Sequence, residues 1–287
     1  METIKQLRGQ YLLGADSAGA LVERNIARVN DPAGEGARAF LSLNESAARA
    51  AAAASDTRMR EADSRPLDGI TIAIKDLFDV AGEVTGAGST VLRSRPPATS
   101  DCPAVARLRD AGAIIFGRNN MVEFAFSGIG INPHFGTPRS IWGRTADGAG
   151  RVPGGSSSGG GVAVADGMAV VALGSDTGGS VRLPAAFNGV VGFKPTAYRV
   201  PVNGAIPLSF LHDSVGPIAN SVECCARIDA VLANEIYHEP TPKPMKRVRL
   251  LNPLGTLWSN LDPEVEIAVK RAIDRLRSAG ATVVDAH

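Results

Sequence analysis

Two glycine–serine clusters hold the hydroxyl groups that are best suited to nucleophilic chemistry. The first reads "RVPGGSSSGGG" (residues 151–161) and the second reads "GSDTGGSVRLP" (residues 174–184). Composition alone would allow a flexible linker, because Gly/Ser tracts have no packing preference. However, Pro153 and an apolar segment, "VAVADGMAVVALGSD" (residues 162–176), flank the first cluster. We therefore expect both clusters to lie inside a folded domain, where a serine could act as a nucleophile.

The first cluster does not fit the two glycine motifs that most often indicate chemistry. A phosphate-binding loop, G-x-x-x-x-G-K-[ST], needs a lysine after its last glycine, and that lysine is absent. The pattern G-x-S-x-G occurs at residues 155–159 and would make Ser157 the nucleophile of a strand–turn–helix elbow. The preceding "GAGRVP" does not read as a strand, however. Such an enzyme also needs a histidine base, and none of the four histidines lies in a suitable motif: His134, His212, His238 and His287.

The second cluster offers both a nucleophile and a site for negative charge. Gly178 and Gly179 let the backbone turn several N–H groups towards one point, where they could stabilise an oxyanion, and Ser180 follows directly. A serine hydroxyl needs a base within hydrogen-bonding distance. The candidate base is Lys75, which ends the apolar run "ITIAI". Desolvation by neighbouring strands would lower its pKa from about 10.4 towards neutrality, whereas a surface lysine at a strand end is the alternative.

Strands and helices alternate around these residues. Residues 1–62 carry apolar residues at helical spacing and an alanine-rich run, which predict a helical N-terminal layer. Further along, the pattern predicts a strand in 67–80, a helix and a strand in 104–120, a helix and a strand in 162–176, a strand in 189–195 and a helix in 221–233. Such alternation predicts an α/β fold with helices on both faces of a sheet.

The C-terminal part is predicted to form a strand–helix–strand unit. After a proline-rich connection (residues 235–246), "RVRLLNP" reads as one strand and "ATVVDAH" as another. Between them, Asp262 is expected as the N-cap of a helix, Pro263 as its first residue and Gly280 as its C-cap.

We expect one domain over residues 1–287. It would contain the helical layer (1–62), a catalytic core (63–234) and the beginning of a C-terminal part (247–287). The last predicted strand stops at the final residue, with nothing after it to cover its apolar surface. Exposed apolar strands favour self-association, so we expect this chain alone to be aggregation-prone or only marginally folded.

Composition and charge exclude several classes of protein. Of 287 residues, 44% are hydrophobic, and 30 Lys+Arg balance 29 Asp+Glu without a long run of either sign. A sizeable core is expected, whereas nucleic acid is not an expected partner. Three cysteines, with Cys224 and Cys225 adjacent, suit a reducing compartment better than a disulfide framework. No signal peptide or membrane-spanning run is recognised, so we expect a cytoplasmic protein with a neutral or small substrate.

Four segments together resemble the amidase signature family, hydrolases of carboxylic amides that use a Ser–cis-Ser–Lys triad. The segments are "GITIAIKDLFDV", "GRNNMVEFAFSGIGINPHFGTPR", "GGSSSGGGVAVADG" and "GSDTGGSVRLPAAFNGVVGFKPT". The resemblance implies that Ser180 forms the acyl-enzyme, that Ser156 is the bridging serine and follows a cis peptide bond, and that Lys75 is the terminal base. The interval between the two catalytic serines matches that of the family, which selects Ser156 over Ser157 and Ser158.

The resemblance also implies the surroundings of the triad. The oxyanion hole would consist of four consecutive backbone N–H groups, those of Thr177, Gly178, Gly179 and Ser180. Asp176 and Arg182 would brace this turn as an ion pair, with a substrate-facing Arg182 as the alternative. No metal or organic cofactor would be required. The implied fold is a mixed, mostly parallel central sheet covered by helices on both faces.

The sequence departs from the family in two places. Where the family has Asn-Pro-Trp after "GTPR", this chain has "SIWGRTADGAGRVPGG" (residues 140–155), a glycine-rich approach to the first cluster. Family members also continue for well over a hundred residues beyond the end of this chain. The chain therefore resembles a C-terminally truncated member.

Three functional hypotheses follow from the resemblance. The first is an amidase that converts a small-molecule amide into a carboxylate and ammonia or an amine. The second is the glutaminase subunit of a tRNA-dependent amidotransferase, which would bind a partner subunit. The third is a remnant that keeps the core but cannot complete its pocket. A homodimer is a further expectation, and the sequence does not identify the amide.

Overall fold

The computed structural model describes residues 2–145 and 147–286. The chain divides into two compact units, Met1–Tyr237 and His238–His287. His287, where the last predicted strand ends, lies outside the described residues. In the described part of the chain, no helix is both long enough and apolar enough to cross a membrane.

The first unit contains six strands and eight α-helices among its described residues. In chain order they are α1 (Ile4–Leu12), α2 (Ala18–Val29), α3 (Gly36–Ala39), β1 (Phe40–Leu43), α4 (Glu45–Arg60), β2 (Thr71–Lys75), α5 (Pro103–Asp110), β3 (Ile114–Asn119), α6 (Ser158–Ala165), β4 (Val171–Asp176), α7 (Arg182–Phe187), β5 (Val191–Gly192), β6 (Ser214–Ala219) and α8 (Val222–Leu232). A largely helical N-terminal layer thus precedes an alternation of strands and helices, as the sequence pattern predicts.

A mixed sheet forms the centre of this unit. Its strand order is β1-β3-β2-β4-β6-β5. Strands β3, β2 and β4 are parallel neighbours, β1 is antiparallel to β3, and β6 is antiparallel to both β4 and β5. Strands β2, β3, β4 and β5 therefore run in one direction and β1 and β6 in the other, which is four strands of six. The predicted mixed, mostly parallel α/β fold is confirmed.

Helices cover both faces of the sheet, so its central strands are buried on both sides. Ile72 and Ile74 of β2 pack into one core with side chains from α1, α5 and α8. Ala73, between them, packs into a second core with α2, α4 and α6. Successive residues of a strand point to opposite faces, so an apolar run such as "ITIAI" suits a strand that is covered twice. Every residue of β2, including Lys75 at its end, is buried.

Helix α6 begins inside the first glycine–serine cluster, at Ser158. Its first turn contains three glycines, and their lack of side chains lets the helix lie close to the sheet. A Cβ added at Gly159 would come within 2.3 Å of the carbonyl oxygen of Ala39 and 2.7 Å of the nitrogen of Asn120. The N–H of Gly159 also donates to the carbonyl of Asn120 at 2.9 Å. The cluster is therefore part of the core and not a linker.

The sequence patterns do not predict two strands and one helix of this unit. Strand β1 lies within residues 1–62, which the pattern assigns to helices alone, and its four residues are too few for a clear alternation. Strand β6 contains Gly216 and Pro217, which argue against a strand because glycine has no side chain to pack and proline has no N–H. Helix α7 contains Pro184, but this residue lies in the first turn, where no helical hydrogen bond is lost.

The second unit is the predicted strand–helix–strand. It contains β7 (Arg249–Pro253), α9 (Pro263–Ser278) and β8 (Thr282–Ala286), with β7 and β8 paired in parallel. Asp262 caps the helix by accepting the N–H of Glu264 at 2.9 Å, and Pro263 is the first helical residue, as predicted. The C-cap is Ala279 and not Gly280. Gly280 follows it with a φ of +99°, a left-handed conformation that favours glycine after a helix.

Two helical glycines give opposite predictions for substitution by alanine. At Gly159 the added methyl would overlap backbone atoms, so Gly159→Ala should lower the free energy of unfolding by about 1–3 kcal/mol. Gly9 in α1 has no atom within 4 Å of an added Cβ, so Gly9→Ala should raise the free energy of unfolding by about 0.5–1 kcal/mol. Urea unfolding measures both changes. A Gly159→Ala variant as stable as the parent chain would contradict the close packing of α6 on the sheet.

Candidate active site

Lys75 is the centre of the site. It is the last residue of β2, and it is only 1% exposed. Its Nζ lies 2.7 Å from Ser156 Oγ, 2.9 Å from Ser175 Oγ and 3.4 Å from the carbonyl oxygen of Ser175. Lys75 is therefore a buried amine held by two serines, and the alternative of a surface lysine is wrong.

Burial determines the charge of Lys75. Desolvation lowers the pKa of its amine from 10.5 to about 7, while the carboxylates of Asp176 and Asp213 act in the opposite direction. A large fraction of the amine is thus neutral at neutral pH. A neutral amine has two N–H donors and one lone pair. Both donors can be used in the two contacts with Ser175, which leaves the lone pair for the hydroxyl of Ser156.

Ser156 is the serine of the first cluster that contacts Lys75. It is completely buried, and the peptide bond between Gly155 and Ser156 is cis, as the family resemblance implies. Backbone hydrogen bonds hold the loop on both sides of this bond. The N–H of Val122 donates to the carbonyl of Ser156 at 3.0 Å, and the N–H of Gly155 donates to the carbonyl of Gly128 at 2.8 Å. These contacts fix the position of the Ser156 hydroxyl next to the amine.

Ser157 and Ser158 do not share this contact. Both are buried, and their Oγ atoms have no hydrogen-bond partner among the described residues. Ser157 instead faces β4, since a Cβ added at Gly174 would lie 2.8 Å from its Oγ. Of the three consecutive serines, Ser156 is thus the one whose hydroxyl is hydrogen-bonded to Lys75.

Ser180 lies in the turn between β4 and α7, and this turn is bonded to the first cluster. Its carbonyl oxygen accepts the N–H of Ser157 at 3.2 Å. Ser180 is 7% exposed, and Gly178 in the same turn is exposed, with no atom within 4 Å of the place that a Cβ would take. The turn therefore opens to solvent beside Gly178, and the two glycine–serine clusters are adjacent in space.

Asp176 shapes this turn. Its carboxylate accepts the N–H of Gly179 at 2.8 Å and the N–H of Val181 at 3.1 Å. It also forms an ion pair with Arg182, whose Nε and Nη2 lie 3.0 and 2.9 Å from the two carboxylate oxygens. The predicted ion pair between Asp176 and Arg182 is present, and the guanidinium is directed to the carboxylate.

The N–H of Gly179 does not have the role of oxyanion donor that the family resemblance implies. Because it donates to Asp176, it is not free to bind an oxyanion. In the part of the chain that the structure describes, no acceptor is paired with the N–H groups of Thr177, Gly178 and Ser180. Gly179 has a φ of +131°, which residues with side chains rarely adopt, so the turn needs glycine at this position.

Ser175 is a site residue that the sequence patterns do not single out. It lies in β4, the parallel neighbour of β2, and provides two of the three polar contacts of Lys75 Nζ. It also lines a cavity of about 210 Å³ together with Phe210 and Asp213. Only the pairing of β2 with β4 brings Ser175 beside Lys75, so its role becomes visible once the strand order is known.

Comparisons with known proteins agree with this geometry. The family model for amidases matches residues 20–287. A 2-amino-5-chloromuconic acid deaminase from Comamonas testosteroni is 42% identical over 250 residues, covering 86% of this chain and 53% of the relative. A glutamyl-tRNA(Gln) amidotransferase subunit from Lacticaseibacillus paracasei is 38% identical over 296 residues, covering 99% of this chain and 60% of the relative. The X-ray structure of the peptide amidase from Stenotrophomonas maltophilia matches with a TM-score of 0.85 and 32% identity, covering 99% of this chain and 62% of that one.

These relatives are longer than the chain, which spans 53–62% of their lengths. The part of the chain that the family model matches includes the segments that carry Lys75, Ser156 and Ser180. Because the family model matches residues 20–287 and the sequence relatives are 38–42% identical, this chain belongs to the amidase signature family.

Proposed function

We propose that this chain carries the catalytic centre of an amidase that hydrolyses a carboxylic amide through an acyl-enzyme on Ser180. Ser156 is the relay and Lys75 is the base. The observation that carries this proposal is the 2.7 Å contact between Lys75 Nζ and Ser156 Oγ in a buried environment, where the pKa of the lysine falls to about 7. A base whose pKa lies near the working pH is well matched to proton transfer.

The proton moves along the triad in each half of the reaction. Neutral Lys75 takes the proton of Ser156 while Ser156 takes that of Ser180, whose Oγ bonds to the carbonyl carbon of the amide. When the tetrahedral intermediate collapses, the C–N bond breaks and the same route returns the proton to the leaving nitrogen. Water then attacks the acyl-enzyme and gives a proton to the relay. The second collapse releases the carboxylic acid and restores the hydroxyl of Ser180.

Negative charge on the tetrahedral intermediate would be stabilised at the turn before the nucleophile. The donors that we propose for the oxyanion hole are the N–H groups of Thr177, Gly178 and Ser180. Gly179 has a supporting role instead, because its N–H is bonded to Asp176. The loss of one oxyanion donor typically raises the barrier by about 3 kcal/mol.

A second candidate function is the glutaminase subunit of a tRNA-dependent amidotransferase. It is favoured by the 38% identity to a glutamyl-tRNA(Gln) amidotransferase subunit over 99% of this chain. Such a protein would release ammonia from glutamine and would bind a partner subunit. Ammonia release that is confined to glutamine, together with capture of a partner, would favour this candidate over an independent amidase.

Ser180→Ala is predicted to abolish both amide turnover and covalent labelling by a fluorophosphonate, because Ser180 is the serine at the proposed oxyanion hole. Ser157→Ala is the matched control. Its Oγ is buried without a partner among the described residues, so its removal should change the labelling rate by less than about twofold. Mass spectrometry of the labelled peptide identifies the modified residue. A label on Ser157 would contradict the proposed triad.

The rate of Ser180 labelling is predicted to rise with pH through about 7 and to level off above it, because Lys75 accepts a proton only when it is neutral. Amide turnover by Lys75→Ala should be nearly as slow as turnover by Ser180→Ala at neutral pH, since members of a relay act as a unit. Labelling rates between about pH 5 and pH 9 test the profile. A rate that does not change over this range would indicate another base.

Ser175→Ala is predicted to slow acylation of Ser180 about tenfold, the effect of one lost hydrogen bond of about 1–1.5 kcal/mol. The reason is that Ser175 Oγ, 2.9 Å from Lys75 Nζ, helps to direct the lone pair of the amine towards Ser156. Ser175→Thr keeps the hydroxyl and should remain close to the parent rate. Single-turnover labelling compares the variants. Equal rates for Ser175→Ala and the parent chain would show that the carbonyl contact alone orients the lysine.

A further inference from the structure

Asp213 lies beside the oxyanion turn, residues 177–180, which carries the proposed oxyanion hole. Asp213 is not part of the triad. It directly precedes β6, and the pairing of β4 with β6 places Asp176 opposite Ser214. The side chain is half-buried and lines the cavity of about 210 Å³ that Ser175 also lines. Asp213 therefore faces the same space as the hydroxyl that holds Lys75.

The carboxylate of Asp213 connects two segments of the site. One oxygen accepts the hydroxyl of Thr177, and the other accepts the N–H of Leu208 at 2.9 Å. The N–H of Ser209 lies 3.1 Å from both oxygens. The loop before β6 and the turn before Ser180 are therefore both hydrogen-bonded to the carboxylate of Asp213.

The charge of Asp213 is not neutralised by a direct neighbour. In residues 2–145 and 147–286 no cation forms an ion pair with it, whereas Arg182 pairs with Asp176 at 2.9 Å. Two negative charges raise the pKa of the buried Lys75 amine and so oppose part of the effect of desolvation: that of Asp176 and, to a smaller extent, that of Asp213.

The other charged or titratable groups around these two residues have partners of their own. Asp176 pairs with Arg182, and Asp76 pairs with Arg118. His212 and Lys194 each form a hydrogen bond. Lys194 Nζ donates to the carbonyl of Pro195 at 2.6 Å and lies 3.4 Å from Ser214 Oγ. His212 Nδ1 lies 3.0 Å from Ser209 Oγ. Asp213 is thus the carboxylate of this group that combines a contact to the oxyanion turn with an unpaired charge.

We propose that Asp213 is a positioning residue, which fixes the oxyanion turn through Thr177 and supplies a negative charge that acts on Lys75. This inference rests on the amide hydrolysis proposed above. One side chain would then couple two parts of the machinery, the donors that bind the oxyanion and the base that activates the nucleophile. Loss of the carboxylate would loosen the turn and weaken the lysine as a base.

Asp213→Asn tests the electrostatic part, because it keeps the shape of the side chain and removes its charge. The pH at which Lys75 loses its proton, followed by NMR of ¹³C-labelled lysine side chains, should fall relative to the parent chain. Asp229→Asn is the matched control, since it removes a carboxylate that is buried elsewhere and paired with Arg199 at 2.9 Å. It should leave the titration of Lys75 unchanged. An unchanged titration in Asp213→Asn would overturn the electrostatic role.

Thr177→Val tests the mechanical part, because it removes the hydroxyl that Asp213 accepts and leaves the charge in place. Amide hydrogen exchange of the Gly179 N–H, which is bonded to Asp176, should become about tenfold faster, the effect of one lost hydrogen bond, while the titration of Lys75 stays the same. Exchange as slow as in the parent chain would overturn the positioning role. Neither readout requires turnover, so a parent chain that is not labelled at Ser180 would contradict the proposed function alone.

Discussion

The burial of Lys75 is the constraint on which the rest of the site depends. A charged amine in an apolar interior is unfavourable, and its pKa falls to about 7 as a result. The lysine is tolerated in the core because Ser156 and Ser175 provide polar contacts for its nitrogen. The same burial that disfavours the charged form makes the amine a base near neutral pH. Strongly shifted ionisable groups are concentrated at functional sites for this reason.

The fold excludes water from this lysine by covering the central sheet on both faces. Strand β2 lies between β3 and β4, and its side chains enter two separate cores. Glycine then allows the segments of the proposed site to come close. At Gly159 it lets α6 approach the backbone of Ala39, and at Gly179 it allows the turn that presents Ser180. Asp176 holds that turn through backbone N–H groups, so the proposed nucleophile is positioned by short-range contacts.

The parts of this arrangement that are local in sequence are predictable, and the parts that depend on strand pairing are not. The apolar run before Lys75 predicts a strand covered on both faces, and the whole strand is buried. Residue patterns alone leave Ser157 open as an alternative to Ser156, and the choice between them comes from the family resemblance. Ser175 and Asp213 reach the site through the pairing of β4 with β2 and β6. Residue spacing in the sequence does not predict such pairings. The glycine and proline of β6 also argue against a strand at that place in the sequence.

Direct titration of Lys75 in the parent chain tests the central claim. Lysine labelled with ¹³C at Cε reports the protonation of each amine by NMR, and a Lys75→Arg variant identifies the signal. The account predicts that Lys75 titrates near pH 7, while an ordinary lysine titrates at about pH 10.4. A Lys75 signal that titrates with the ordinary lysines would contradict the account, because the amine would then be charged at neutral pH and could not accept the proton of Ser156.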